Sequence, residues 1–200
     1  DTPAVGDYDQ NDQPDITSLA DGGFVITWRG RDDGDYSRSN ILARRFDAVG
    51  FATGPEFKVN TTVTHNKGSP SITSLDDGGF VVVWKTYGVD YGSTISAQRF
   101  DSSGATSGLE FQVNSMATFS VGSPSVTSLD DGGFMITWFS VNLDNSGDYF
   151  GQRFDVNGAT VGSEFQVSNN TQDNPVTSLA DGGFVDIWVE SSADGTTTGH

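Results

Sequence analysis

The sequence predicts an all-β protein, a β-propeller-like array of four-stranded antiparallel blades with about three and a half repeats present. Three observations predict it. One stretch recurs four times: SLADGGFVITW from Ser18, SLDDGGFVVVW from Ser74, SLDDGGFMITW from Ser128 and SLADGGFVDIW from Ser178. Such a long, regular period means one supersecondary unit used repeatedly. Within each copy the apolar residues alternate with period two, and no helical periodicity runs beyond two turns. Each copy also holds four strand-like segments in about 50 residues, the count and length of a propeller blade. A β-trefoil uses shorter units and has no place for a fourth partial one, and an open β-array is the other alternative.

Taken in order, 1–13 is a polar lead-in. The repeats follow at about 14–69, 70–123, 124–174 and, partial, 175–200, read together as a single repeat domain. The first segment of each is Pro-x-[Ile/Val]-Thr-Ser-Leu, from Pro14, Pro70 and Pro124, with PVTSL from Pro175 in the last. The second is Gly-Phe-x-x-x-Trp. In the second copy Phe80, Val82 and Trp84 take one face and Val81 and Val83 the other. Both faces are apolar, so this strand is expected between two layers. Asp-Gly-Gly joins the two segments as a hairpin turn. The third segment ends in Arg-Phe-Asp, at Arg45, Arg99 and Arg153, and the fourth is Glu-Phe-x-Val, from Glu56, Glu110 and Glu164. Glycine-punctuated links join third to fourth. The last repeat reads as ending in the loop after its second strand. That leaves an open edge, which truncation from a longer chain explains best. A homodimer completing the ring is the alternative.

Composition sets further bounds. Only 34% of residues are hydrophobic, but 14 Phe and 4 Trp each carry a large area to bury. No apolar run is long enough for a membrane-spanning helix, so no membrane insertion is expected. Cysteine is absent, which excludes disulfides and thiolate metal sites. The net charge of −17 argues against nucleic acid and suits cations.

The blocks Ala97–Asp101, Gly104 and Glu110–Asn114, with each Asp-Gly-Gly-Phe turn, carry a resemblance. They resemble tandem repeats of very large secreted bacterial proteins that often also contain hemolysin-type calcium-binding repeats. The resemblance covers about 14–188. It implies an exported, adhesin-like protein or an accessory region of an exported enzyme, secreted or at the cell surface, and frequently calcium-dependent. The glycine-rich nonapeptide repeat that binds calcium in such proteins is absent here, so calcium binding does not follow from that motif.

Candidate calcium ligands come from loops instead. Asp7, Asp9 and Asn11 stand at alternate positions in the lead-in, as in the opening of a calcium loop, but Asp12 replaces the turning glycine. After each Trp an acidic loop is expected: Asp32, Asp33 and Asp35 in the first repeat, Asp90 in the second, Asp144, Asn145 and Asp148 in the third, and Asp194 in the fourth. These are oxygen ligands on short turns, as a hard cation requires. Trp28, Trp84, Trp138 and Trp188 are expected to fill the space between blades, not to stack on sugars. The repeated arginines are expected in structural ion pairs, with Asp101 and Glu110 as candidates for Arg99. Asp76, Asp77, Asp130 and Asp131 read as turn residues and not as catalytic pairs. His65 is the single internal histidine, and Asn60 and Asn169 begin glycosylation-type sequons of no weight.

The expected function is therefore a non-catalytic binding or adhesion module. Its acidic loops would be organised by calcium and turned toward a glycan or surface partner. The alternatives are an accessory propeller region of a secreted hydrolase, with His65, Lys85 and Tyr87 as repeat-unique residues, or a structural spacer. Catalysis needs one asymmetric constellation, and repeat symmetry weighs against it.

Overall fold

The computed structural model describes residues 12–32, 35–88, 92–115, 120–141, 147–168, 176–178, 184–186, 189–191 and 197–199. Side chains are described within these segments up to residue 167, apart from 32 and 35–37. The protein is all-β, and no helix occurs among the described residues. The first antiparallel sheet runs β1 (Asp12–Ser18), β2 (Phe24–Asp32), β3 (Asp35–Phe46) and β4 (Phe57–Lys58). The second runs β5 (Lys67–Ser74), β6 (Phe80–Tyr87), β7 (Ser93–Phe100) and β8 (Thr106–Gln112). In the third, β10 (Ser125–Ser128), β11 (Phe134–Val141), β12 (Gly147–Phe154) and β13 (Thr160–Ser168) repeat the order. The short β9 (Ser120–Val121) joins it by pairing with β11. Two further hairpin pairs follow, β14 (Val176–Ser178) with β15 (Phe184–Asp186) and β16 (Val189–Ser191) with β17 (Thr197–Gly199).

Two boundaries differ from the sequence reading. β1 and β5 begin before Pro14 and Pro70, at Asp12 and Lys67. Proline lacks the N–H for the ladder, so it marks an irregularity and not the strand start. The register shifts between Gly68 and Ser71, where Pro70 sits. In the final repeat, β17 pairs with β16, so backbone pairing extends past the loop where the sequence was expected to end.

The first strands lie side by side, β1 next to β5, β5 next to β10 and β10 next to β14. Each is the edge strand of its own sheet, with N–H groups its sheet does not use. Side chains of the preceding blade accept several of them. Gln13 Oε1 accepts from Ser69 N (2.7 Å), Asp15 Oδ2 from Ile72 N (2.9 Å) and Thr17 Oγ1 from Ser74 N (3.1 Å). Pro14, Pro70 and Pro124 of three successive blades border one hollow of about 320 Å³. This is the arrangement of inner strands in a propeller.

The core lies between blades. Phe80, Val82 and Trp84 meet Val25, Ile41, Ala43 and Val59 of the first sheet. Val81, Val83, Ile95 and Ala97, from the opposite face, meet Phe134, Ile136 and Trp138 of the third. The two apolar faces of β6 thus serve two interfaces, as its sequence predicts. Trp84 is 0% and Trp138 1% exposed, so neither offers a face to a sugar. Trp28 is half-buried, and Trp188 lies outside the described residues. The Phe of each described Asp-Gly-Gly-Phe stacks on the Phe of its own Arg-Phe-Asp, with ring centroids 5.0, 4.8 and 5.0 Å apart.

The turn aspartates carry most of the polar order at the opposite end of the sheets. Asp21, Asp77 and Asp131 accept the N–H of the second glycine of their own turns. They also pair with Arg45 (2.6 Å), Arg99 (3.1 Å) and Arg153. The arginines were expected in ion pairs, but the partner of Arg99 is Asp77 and not Asp101 or Glu110. Asp101 instead accepts from Ser103 and Ala105 in its own turn, and Asp155 does the same for Asn157 and Ala159. Arg45 also donates to the backbone oxygen of Ser102 in the next blade (2.5 Å).

These contacts make stability depend on acid. The Gly23 N–H and then Arg45 hold Asp21 below the usual carboxylate range, and the Gly133 N–H and Arg153 do so for Asp131. The Ser103 hydroxyl lowers Asp101, and the Ala159 N–H lowers Asp155. A carboxyl more acidic folded than unfolded stabilises the fold above its unfolded pKa, and that contribution is lost as pH falls through the folded value. Relief of repulsion among 27 acidic residues works the other way on mild acidification. Thermal melts followed by circular dichroism should therefore hold or rise slightly from pH 7 to about 5 and fall below about pH 4. A melting temperature still rising below that point would contradict the assignment.

Candidate functional site

The face of the second blade that meets the first changes character along its length. Across β6 and β7 the pairs on this face are Phe80 with Phe100, Val82 with Gln98, Trp84 with Ser96, and Thr86 with Thr94. Phe80, Val82 and Trp84 of β6 pack into the interface, and beyond them the face becomes hydroxyl-bearing. β8 continues the polar row with Thr106, Glu110 and Gln112. Thr86, Thr94, Ser96, Gln98 and these β8 residues, with Thr61, Thr62, Thr64 and His65 of the connector between blades one and two, line an open groove of about 570 Å³.

One small side chain stands at its wall. Ser96 stands opposite Trp84, while Leu42 stands opposite Trp28 and Phe150 opposite Trp138. In the third blade Phe150 stacks near Trp138, 6.4 Å between centroids. In the second, the smaller Ser96 brings a hydroxyl that lies 3.4 Å from that of Thr86. The side chain facing the Trp thus differs from blade to blade, although the backbone pairing is repeated.

Its walls are held by buried polar contacts. Gln98, 1% exposed, donates to the oxygens of Arg99 (2.9 Å) and Gly108 (3.2 Å), across the bulge where β7 and β8 shift register. Asn60, also 1% exposed, accepts from Ile41 N (2.8 Å) and donates to Thr62 O (2.9 Å). Its burial makes it a structural residue and not a glycosylation site; Asn169 lies outside the described residues. Glu110 Oε2 accepts from Thr61 N (2.6 Å), Thr61 Oγ1 (2.7 Å) and Thr62 N (3.0 Å) of the preceding blade. Glu164 repeats this link with Ser115 N (2.9 Å). Burial pushes the Glu110 carboxyl up, but the Thr61 and Thr62 hydrogen bonds outweigh it and hold the group below its ordinary value. Glu110 is therefore a charged acceptor at neutral pH.

The loop residues expected to hold calcium are placed less completely. Asp7, Asp9, Asn11, Asp33, Asp90, Asp144, Asn145 and Asp194 lie outside the described residues. Asp32 and Asp35 face each other as a backbone pair at the adjoining ends of β2 and β3. Asp148 is on β12, where its Oδ1 accepts from Gln166 Nε2 (3.0 Å). Among the described residues no group of three or more His, Asp or Glu is placed to hold a metal ion. Of the three repeat-unique residues, His65 lines the groove. Lys85 places its ammonium 4.8 Å from the centre of the Tyr87 ring, away from the groove lining.

The groove is built mainly from strand residues, whereas the acids that stand out in the sequence lie in loops. The available signal was Thr94-x-Ser96-x-Gln98 and Thr106-x-Gly108-x-Glu110-x-Gln112, two period-two polar rows on adjacent strands.

Fold and site together define a β-propeller-type protein with a polar groove between its first two blades. Solved structures of similar fold include a Hadza microbial sialidase, with TM-score 0.62 and 11% identity over 82% of this chain and 39% of the sialidase. The endo-arabinase from Bacteroides thetaiotaomicron VPI-5482 matches at TM-score 0.54 and 16% identity, over 98% of this chain and 72% of that one. The alpha-L-arabinofuranosidase from Lactobacillus brevis matches at 0.53 and 13%, over 80% and 57%. The chain thus spans less than two thirds of the sialidase and of the arabinofuranosidase. These likenesses establish the fold. No protein-family model and no curated protein matches the sequence.

Proposed function

We propose that this chain is a non-catalytic carbohydrate-binding module of an exported bacterial protein, and that the groove between blades one and two is its sugar site. The observation that carries the reading is the groove itself, where Ser96 stands in place of a bulky partner of the interface Trp and hydroxyl, amide and carboxylate groups of adjacent strands line one wall. Sugars are recognised by such closely spaced donors and acceptors. The similar folds of a sialidase, an arabinase and an arabinofuranosidase support carbohydrate as the ligand class. Among the described residues Glu110 is the single carboxylate lining the groove, and its hydrogen bonds keep it ionised, whereas glycoside hydrolysis ordinarily uses a carboxyl pair. The net charge of −17 favours neutral over anionic sugars. Calcium would act apart from the groove, organising the acidic loops that follow each Trp.

The test is calorimetric titration with a neutral arabino-oligosaccharide and with sialyllactose, each in calcium and in chelator. The neutral sugar is expected to bind with a Kd on the order of 1 mM, against no measurable binding of the anionic one. Ser96→Leu, which copies the first repeat, should abolish binding while shifting the melting temperature by no more than about 4 °C, since Ser96 borders the groove and a leucine there can extend into it. Equal binding by the wild type and a folded Ser96→Leu variant would remove the groove from the reading. Turnover of either sugar would favour the hydrolase alternative.

A further inference from the structure

Lys67 opens β5 opposite Thr86, with 0% of its surface exposed. The same place in the next repeat, opposite Ser140, is held by Val121, which is 1% exposed and belongs to an apolar cluster. Packing at this position therefore has an apolar solution. A buried ammonium is a costly alternative, since it gives up its hydration. Among the described residues no carboxylate pairs with it, and burial lowers its pKa from the ordinary lysine value, opposed by the charge of Glu110.

What lysine supplies and valine cannot is a set of N–H donors. Lys67 Nζ donates to the backbone oxygens of Thr64 and His65 (2.9 Å to the latter). His65 has φ of +63°, a conformation that a side chain disfavours and that needs outside support. Both residues line the groove. The connector is thus held by Glu110 at Thr61 and Thr62 and by Lys67 at Thr64 and His65, beside the bonds of Asn66 to Ser39 N and Tyr87 N.

We propose that Lys67 is a positioning residue for the groove: its buried ammonium clamps the Thr64 and His65 carbonyls and fixes the connector as a rigid wall. A wall ordered before a sugar arrives spares the ligand the cost of ordering it. This consequence for binding rests on the sugar-site reading, whereas the clamp itself does not.

The experiment compares the full chain with Lys67→Val, which copies the next repeat, and Lys67→Met. Three readouts are used: amide hydrogen exchange by mass spectrometry, thermal melts, and titration with the arabino-oligosaccharide. In both variants residues 61–66 should exchange at least about 10-fold faster, while the sheets keep their protection and the melting temperature holds or rises. Sugar affinity should fall with the loss of protection. The chain has no cysteine, so Lys67→Cys can be alkylated in the unfolded state with bromoethylamine to a lysine analogue and refolded. Aminoethylation should restore protection at 61–66, and capping with a neutral group should not. Unchanged exchange at 61–66 in Lys67→Val, failure of the aminoethyl group to restore it, or loss of protection throughout the chain in both apolar variants would each overturn the proposal. A wild-type chain that binds no sugar would overturn the sugar site, while the exchange data would still decide the clamp.

Discussion

Trp84→Ala is expected to destabilise the protein by about 3–5 kcal/mol, the range for removing a large aromatic from a packed interior. Trp84 is fully buried between Ile41, Ala43 and Val59 of the first blade and its own neighbours Val82 and Phe80. It therefore couples two blades and not only one sheet. In a repeat array the interfaces between units carry much of the cooperativity. Denaturant unfolding followed by far-ultraviolet circular dichroism should show a lower midpoint and a broader or split transition. Trp28→Ala, at the half-buried equivalent, should cost less than half as much. Trp84→Phe should retain most of the stability, because Trp84 Nε1 is buried without an acceptor and phenylalanine removes that unsatisfied donor. A Trp84→Ala variant no less stable than Trp28→Ala would show that the interface does not hold the array together.

Gly79→Ala is expected to cost about 3 kcal/mol, near the upper end for forcing extra volume into a fixed backbone. A Cβ at Gly79 would lie 2.3 Å from the carbonyl oxygen of Phe100 and 3.3 Å from Asp101 Cα. Neither can swing aside as a flexible side chain would, so the turn must part from the end of β7. Gly78, its neighbour, has φ of +83°, and alanine there costs about 1–2 kcal/mol from the left-handed backbone. The ranking is the useful part of this prediction. Backbone conformation alone places Gly78 as the more sensitive, whereas the cross-strand carbonyl places Gly79 first. Parallel chemical denaturation of the two variants decides it. Gly78→Ala proving the worse would mean that the turn moves freely against Phe100.

The Asp-Gly-Gly-Phe signature is therefore readable at two depths. Its turn is legible from sequence, since Leu75 and Gly78 close a tight bend and Asp77 caps the N–H of Gly79. Why the second glycine is required is not legible, because the carbonyl it must avoid is 21 residues away on another strand. The arginines behave similarly. A charged residue beside a buried Phe predicts an ion pair, but several acids in each repeat are suitable. The sheet register, Val81 against Arg99, brings the guanidinium to the Asp-Gly-Gly turn.

By itself the sequence determined the all-β class, the four-strand repeat, the hairpin turns and the burial of Trp84 and Trp138. These follow from alternation and turn chemistry, which act within a few residues of the chain. Tertiary structure alone decided the groove, the Glu110 link to Thr61 and Thr62, and the Lys67 contacts with the connector. The groove and the Glu110 link depend on which blade lies against which, and on residues up to 49 positions apart; the Lys67 contacts are local in sequence and depend on how the connector turns back before β5. Ser96 shows the limit most plainly. In the sequence it is one polar residue among many in a strand. It joins the groove lining only through the register that sets it against Trp84, at the place Leu42 and Phe150 take in the neighbouring blades.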